Sequence, residues 1–410
     1  MNRLARYLKT ISSVCLWVVV FTATLSTTYA FDDDSLDLTI TKFFDSLSYK
    51  YKGFDLGVTN VSIGETFDDN ITFDKKDKQG DFITKAGITL GARYEGKTRT
   101  FALTSKITDQ IFAKQPDQNN VTQFINLNFK NEFSKRDRIS LKNVFEHFEA
   151  PSSGDTTAEG YYSSQFGRTA GRFEYFKNKF DIAYSYDIAK QSSLFVKYAN
   201  EINIFSGTDR ENSLLNKPGF GLSYTFSPTA TIFSFSYDFT SIQFENETNA
   251  TINTIGAGIR QYITKKLYFN GGTGIDLIDS FDNENLSEPF FLASLTYILE
   301  EKTQASILFD KKYTTNPYFA DIWNSWRTSA SLTRQILKRL GCSLLIFYGD
   351  GKIVSSGFEQ NLLGLSSSLR YDISRNLKGT LTYTYTQSDT NDESSEYSKN
   401  TLFLGLTAEF

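Results

Sequence analysis

Apolar and polar residues alternate at period two through stretch after stretch of this chain. Val121, Ile125, Leu127, Phe129 and Phe133 fall on one side of a segment whose other side carries Asn126, Asn128, Lys130 and Glu132. Phe233, Phe235, Tyr237 and Phe239 alternate with Ser234, Ser236, Asp238 and Thr240, and Leu381, Tyr383 and Tyr385 alternate with Thr380, Thr382, Thr384 and Thr386. This is the pattern of strands with two unlike faces. Short polar turns separate them at a regular interval. With Glu95, Ser134, Ala189, Ser227, Thr264, Glu300, Leu337 and Ser374 as markers, the steps are 39, 55, 38, 37, 36, 37 and 37 residues, and Phe410 lies another 36 beyond the last. One repeat is therefore a strand, a longer polar loop, a strand and a short turn. Eight short turns with both termini on the same side require nine hairpins, hence 18 strands. The long step places an insertion near Glu149 to Thr157, ahead of a strand expected from about Gly167 to Ile188; Lys177-Asn178-Lys179 also reads as a separate turn, and counts of 16 and 20 strands stay open beside 18.

Alternation does not say which face meets water. A large soluble β-sandwich or β-helix hides the apolar face inside, whereas a transmembrane barrel turns it to lipid and keeps a polar lumen. The two ends of the chain favour the barrel. Arg3, Arg6 and Lys9 precede an apolar stretch from Ile11 to Leu25, and Thr28-Tyr29-Ala30 is a small-x-small cleavage site, so residues 1–30 read as a secretory signal peptide. At the other end Leu402, Leu404, Leu406, Ala408 and Phe410 share one face. Gly405, Ala408 and Phe410 resemble the C-terminal signal read by barrel-assembly machinery, with Ala where an aromatic is usual. The expectation is an all-β, transmembrane, antiparallel up-and-down β-barrel over residues 55–410, with short periplasmic turns and longer outer loops. A periplasmic extension over 31–54 precedes it, in the outer membrane of a Gram-negative cell. Its expected partners are outer-membrane lipid and the assembly machinery.

Composition adds exclusions. No mature segment holds 18 consecutive apolar residues, which argues against a transmembrane helix. Phe 37 and Tyr 23 beside only six Pro suit strands. Losing Arg3, Arg6 and Lys9 with the signal moves the net charge from −4 to −7, an acidic balance that speaks against nucleic acid. Of two cysteines only Cys342 would survive processing, so no internal disulfide is expected. Aromatics cluster near the two strand ends as interface girdles would: Phe133, Phe226, Tyr262, Tyr268, Tyr297, Tyr371 and Phe410 at the periplasmic edge, Tyr313, Tyr318, Trp323, Trp326 and Tyr348 at the outer one.

Catalytic chemistry is sparse. The only histidine, His147, has no nucleophile motif beside it and reads as a rim or lumen residue; one His and one Cys leave little for a transition-metal site, and Asp282-Asn283-Glu284-Asn285 lacks calcium-loop spacing. No enzyme activity, cofactor or metal is expected. The inward charges are the functional candidates: Lys130, Lys197, Asp238, Arg260 and Arg370 lie on polar strand faces. There they either line an open lumen and set its selectivity or form a cross-barrel salt-bridge network that fills it. No loop is long enough for a plug domain, though residues 150 to 170 have the length to fold in as a constriction.

The stretch Val61 to Ile71, with Glu65-Thr66 and Asp69-Asn70-Ile71, followed by Asp81-Phe82-Ile83-Thr84 and Gly91 to Gly96, resembles the opening of a β-barrel porin family found beside exopolysaccharide and exosortase loci. The likeness runs on through Phe133 to Ser140 and the later hairpins. It implies a porin-like channel for polysaccharide or small hydrophilic solutes, with no catalytic residues. The alternative is a closed structural or surface-binding barrel accessory to exopolysaccharide production. Asp69 and Asn70 match its motif, as a loop cap or as ligand contacts.

Overall fold

The computed structural model describes residues 48–51, 53–150, 158–167, 172–206, 211–227, 231–245, 249–279, 285–300, 302–316 and 321–410. The signal segment, residues 31–47, Pro151 to Thr157, Tyr318, and Asp282 to Glu284 lie outside them. Nearly every described residue belongs to one antiparallel sheet. A short strand β1 (Ser48–Tyr51) precedes β2 (Phe54–Asp68), β3 (Asp81–Glu95), β4 (Arg99–Phe112), β5 (Asn120–Glu132) and β6 (Asp137–Ala150). A helix α1 (Ala158–Gln165) comes next, then β7 (Phe173–Ala189), β8 (Ser192–Phe205), β9 (Ser213–Ser227), β10 (Thr231–Phe244), β11 (Ala250–Tyr262) and β12 (Leu267–Asp279). β13 (Asn285–Glu300), β14 (Thr303–Asn316), β15 (Asp321–Leu337), β16 (Leu340–Ile353), β17 (Glu359–Asp372), β18 (Leu377–Thr390) and β19 (Tyr397–Glu409) complete the chain.

Each strand from β2 to β19 pairs with its neighbours in sequence, and β19 pairs back onto β2 with Leu404 opposite Glu65 and Gly405 opposite Gly64. The result is a closed barrel of 18 strands, which leaves no free sheet edge. β7 runs unbroken through Lys177-Asn178-Lys179, which removes the 16- and 20-strand counts. It begins at Phe173 instead of near Gly167, which follows closely on α1. β1 falls inside the segment expected to be an extension. It adds to the first four residues of β2, where β19 has already ended.

Sequence-level causes of the short turns are visible. In Phe133-Ser134, Ile263-Thr264 and Ile373-Ser374 the hydroxyl accepts from backbone amides two and three residues on: Ser134 from Arg136 (3.0 Å) and Asp137 (3.2 Å), Thr264 from Lys266 (3.1 Å) and Leu267 (3.0 Å), Ser374 from Asn376 (3.3 Å) and Leu377 (3.2 Å). The apolar residue beside each hydroxyl stands out at the turn, with Phe133 66 % and Ile263 55 % exposed.

Polarity is inverted relative to a soluble protein. Outward positions such as Phe220, Leu222, Phe233, Phe235, Leu402, Leu404 and Leu406 are exposed apolar side chains. Inward positions along the barrel include Asp238, Thr240, Asp276, Asp310 and Thr386, all buried. Such a contiguous apolar exterior is far larger than soluble monomers expose. Cross-strand hydrogen bonds join outward tyrosines to asparagines partway along the strands: Tyr198–Asn216 (2.7 Å), Tyr237–Asn253 (2.7 Å), Tyr348–Asn361 (3.2 Å) and Tyr383–Asn400 (2.8 Å). Trp326 stacks obliquely between Phe309 and Tyr348 there, while Phe226, Tyr297 and Tyr371 stand exposed at the short-turn end. Trp323 is a correction to the expected girdle. It packs with Ile353, Phe358 and Phe166 inside the barrel, since it shares its face of β15 with Ser325 and Arg327. Tyr313 packs partly against an apolar cluster of Ile242, Phe244, Ala250, Ile252, Ile278 and Ile322 under the long loops.

Candidate functional site: the barrel interior

Two bodies fill part of the interior. One is the Ile242 cluster at the long-loop end of β10 to β12. The other is α1, which folds inward as the length of residues 150 to 170 allowed. Its Tyr162 is fully buried with Leu345, Phe347 and Leu362, and its hydroxyl is placed to donate to the carbonyl of Leu365 (2.7 Å) or Tyr385 (2.9 Å). Glycines make room: a Cβ on Gly364 would lie 2.3 Å from the Tyr162 ring, and one on Gly349 3.0 Å from Phe166. Polar ties complete the dock. Tyr397 donates to Gln165 (2.9 Å), the Gly167 amide to Gln360 (2.6 Å), and Arg327 to both Ser163 (2.6 Å) and Asp310 (2.5 Å).

Beside these bodies a cavity of about 1200 Å³ remains. Asn60 and Thr407 line it near the short-turn ends of β2 and β19, and Phe148, Tyr175 and Phe205 line it near the long-loop ends of β6, β7 and β8, so it extends along most of the barrel's height. Its charged lining is Lys85, Lys106, Lys142, Lys177, Lys179, Lys312 and Arg327 against Glu146, Glu201 and Asp310. Lys177 pairs with Glu201 (2.9 Å), and Arg327 (2.5 Å) and Lys312 (3.3 Å) share Asp310. Among the described residues Lys85, Lys106, Lys142 and Lys179 have no carboxylate within ion-pair distance. A second cavity of about 680 Å³ adds Lys130, Lys197 and Lys217, together with one further carboxylate, Asp181, to the same wall. A chain of net charge −4 thus concentrates cations on the inner wall of β3 to β9.

The five charges singled out from the sequence fall into different environments. Lys197 and Asp238 form an ion pair (2.7 Å) over Gly219, where a Cβ would lie 2.0 Å from the Asp238 carboxylate. Arg260 donates to Asn270 (2.7 Å), and Arg370 lies 4.0 Å from Asp372. Lys130 has no partner among the described residues and borders the second cavity. Lys85, Lys106, Lys142, Lys179 and Lys217 were not selected, although each sits at the polar step of an alternating stretch, as in Ser105-Lys106-Ile107 and Asn178-Lys179-Phe180. Parity within the strand was the signal that could have found them.

At the seam, Gly405 and Gly64 face each other and the Phe403 ring covers both, since a Cβ on either would meet it at 2.4 Å. Phe410 donates its backbone amide to Thr59 (3.0 Å). Asp69 accepts from the backbone (2.7 Å) and side-chain amide (2.7 Å) of Asn400, and buried Asn70 donates to Ser398 (3.0 Å) and Asp74 (2.7 Å). Lys399 pairs with Asp68 (2.7 Å) and lies over the Phe73 ring, whose backbone takes a positive φ of 57°. The Asp-Asn motif therefore caps the first long loop and clamps it to the last strand.

His147 lies on the outer face, stacked on Phe176 at 4.3 Å and bonded to Glu174 (2.7 Å). Ser206 donates to that same carboxylate (2.9 Å), so the carboxylate separates hydroxyl from imidazole and the set offers no hydroxyl–base pair. No group of three potential metal ligands gathers among the described residues, and none of their helices is long and apolar enough to cross a membrane.

No family model and no curated protein matches the chain. Among solved structures it is similar to OccK2 (OpdF) of Pseudomonas aeruginosa in complex with glucuronate, at 10% identity and a TM-score of 0.48 over 86% of this chain and 98% of that one. It is similar also to OccAB3 of Acinetobacter baumannii (10%, 0.45, 86% and 98%) and to a mutant ferric enterobactin receptor PfeA of Pseudomonas aeruginosa (8%, 0.45, 86% and 80%). At such identities and scores the likeness says nothing of substrate or role.

Proposed function

We propose that the chain is an outer-membrane channel for hydrophilic solutes, with its short turns in the periplasm and its long loops outside. The supporting observation is the cavity that extends along the barrel beside α1, inside a wall whose exterior is apolar and whose interior is charged. Strands of 13 to 17 residues are longer than the roughly 9–11 that span a bilayer, which leaves room for both interfaces. Lipid meets the outward face, and the alternating last strand ending in Phe410 supports recognition by assembly machinery. The resemblance to porins of exopolysaccharide loci makes a sugar chain one passenger to test. Lys130, Lys197, Asp238, Arg260 and Arg370 take part as interior charges, Lys197 and Asp238 chiefly by bracing the wall.

A closed structural barrel is the second reading, favoured by α1 and the Ile242 cluster inside the lumen. Swelling of proteoliposomes in ribose and in maltose separates the two. Swelling above protein-free vesicles is the expected result; none from folded protein would support the closed barrel.

A further inference from the structure

The interior wall also carries an arrangement that goes beyond a general hydrophilic channel. Lys130 lies two positions from the short-turn end of β5, Lys142 five from that of β6, Lys106 seven from that of β4, and Lys179 ten from that of β7. Among the described residues no carboxylate lies within ion-pair distance of these four ammonium groups, although Asp181 stands opposite Lys142 and Glu201 opposite Lys179 in the ladder, and the four border the two cavities on one wall. They stand at successive heights, like rungs. Between them the larger cavity is lined by neutral hydrogen-bonding groups, among them Asn60, Ser62, Thr104, Thr108, Gln110 and Asn126. Cations in a narrow lumen raise the local concentration of anions and repel cations. Uncharged hydroxyls and amides beside them suit a solute that is itself rich in hydroxyls.

Resting on the channel reading above, we infer that this wall is a conduction path for polyhydroxylated carboxylates, that is, acidic sugars and their short linear oligomers. An oligomer would set its carboxylates against successive lysines and release one as it meets the next, so that binding at each rung stays weak enough for passage. A neutral sugar of the same length would find only the hydroxyl and amide groups.

The test uses the full-length protein in planar bilayers under a KCl gradient, with trigalacturonate and maltotriose as probes. The expected zero-current potential is on the anion-selective side, with trigalacturonate interrupting the current at concentrations where maltotriose does not. Exchanging two rungs in Lys106→Glu/Lys142→Glu should move selectivity toward cations and abolish the trigalacturonate block. Lys106→Gln/Lys142→Gln keeps hydrogen bonding without clustering carboxylates and should likewise lose the block, so the test stands where the charged pair assembles poorly. A conducting wild type that is unselective or cation-selective, or is blocked equally by both probes, overturns the inference and leaves the channel intact. Folded protein without current overturns the channel reading itself, and the conduction path falls with it.

Discussion

Tyr162→Ala should detach α1 from the barrel wall. The side chain is fully buried against Leu345, Phe347 and Leu362, and removing a large aromatic from such a site costs roughly 3–5 kcal/mol. Its phenol also makes a hydrogen bond with a net contribution of about 1 kcal/mol. At about 1.4 kcal/mol per decade, the packing loss alone shifts the docked-to-free ratio of the helix by roughly two to four powers of ten. An eight-residue helix has no stability of its own to compensate, because isolated helices shorter than about 12–15 residues are marginal in water. The barrel strands keep their ladders, so the loss falls on α1 and not on the fold. The assay is a cysteine at Leu362, introduced with Cys342→Ser, treated with a membrane-impermeant maleimide. Leu362→Cys should be protected when Tyr162 is present and react in the Tyr162→Ala background, with a rise in single-channel conductance. Tyr162→Phe keeps the ring and should stay protected. Equal labelling with and without the Tyr162→Ala substitution, together with unchanged conductance, would show that α1 is held by something other than this contact.

Three further outcomes follow from the seam and the wall. Asn70→Ala removes a fully buried amide and its two hydrogen bonds to the carbonyls of Asp74 and Ser398, and should lower stability by about 1–3 kcal/mol, read as a lower temperature for the loss of the compact, fast-migrating form on gels; an unchanged temperature would remove the clamp. Lys197→Met should lower stability, by less than about 3 kcal/mol given the partial solvation of the lysine, and adding Asp238→Asn should restore most of it, whereas Lys130→Glu should fold normally; a Lys197→Met protein as stable as wild type would show the pair to be idle. Deleting Phe410 should lower the amount of assembled barrel while export across the inner membrane continues, and an unchanged yield would show that the terminal residue is not read.

The strand number was legible because hairpin spacing and period-two alternation are local properties that long-range packing does not alter. The turns beginning Phe133-Ser134 and Ile263-Thr264 carried their own hydroxyl caps, and the structure breaks the chain there. Residues 158–167 were less legible. Alternation carries no information about a helix that docks inside the barrel, and Tyr162 and Phe166 find their niches only because Gly364 and Gly349, about two hundred residues later, lack side chains. Trp323 was misplaced because nearness to a strand end was read as girdle position, whereas its parity with Ser325 and Arg327 turns it inward, against Phe166. The candidate charges were half legible. Facing inward follows from parity, but whether a charge is free, like Lys130, or paired, like Lys197 with Asp238, depends on strand order and register.

Single-channel recording of the wild-type protein, taken from a preparation whose migration shifts on heating, tests the central claim most directly. Stepwise, ohmic currents that persist across applied voltages are the result expected of a water-filled passage beside α1. A folded, bilayer-inserted barrel that gives no current steps would contradict it.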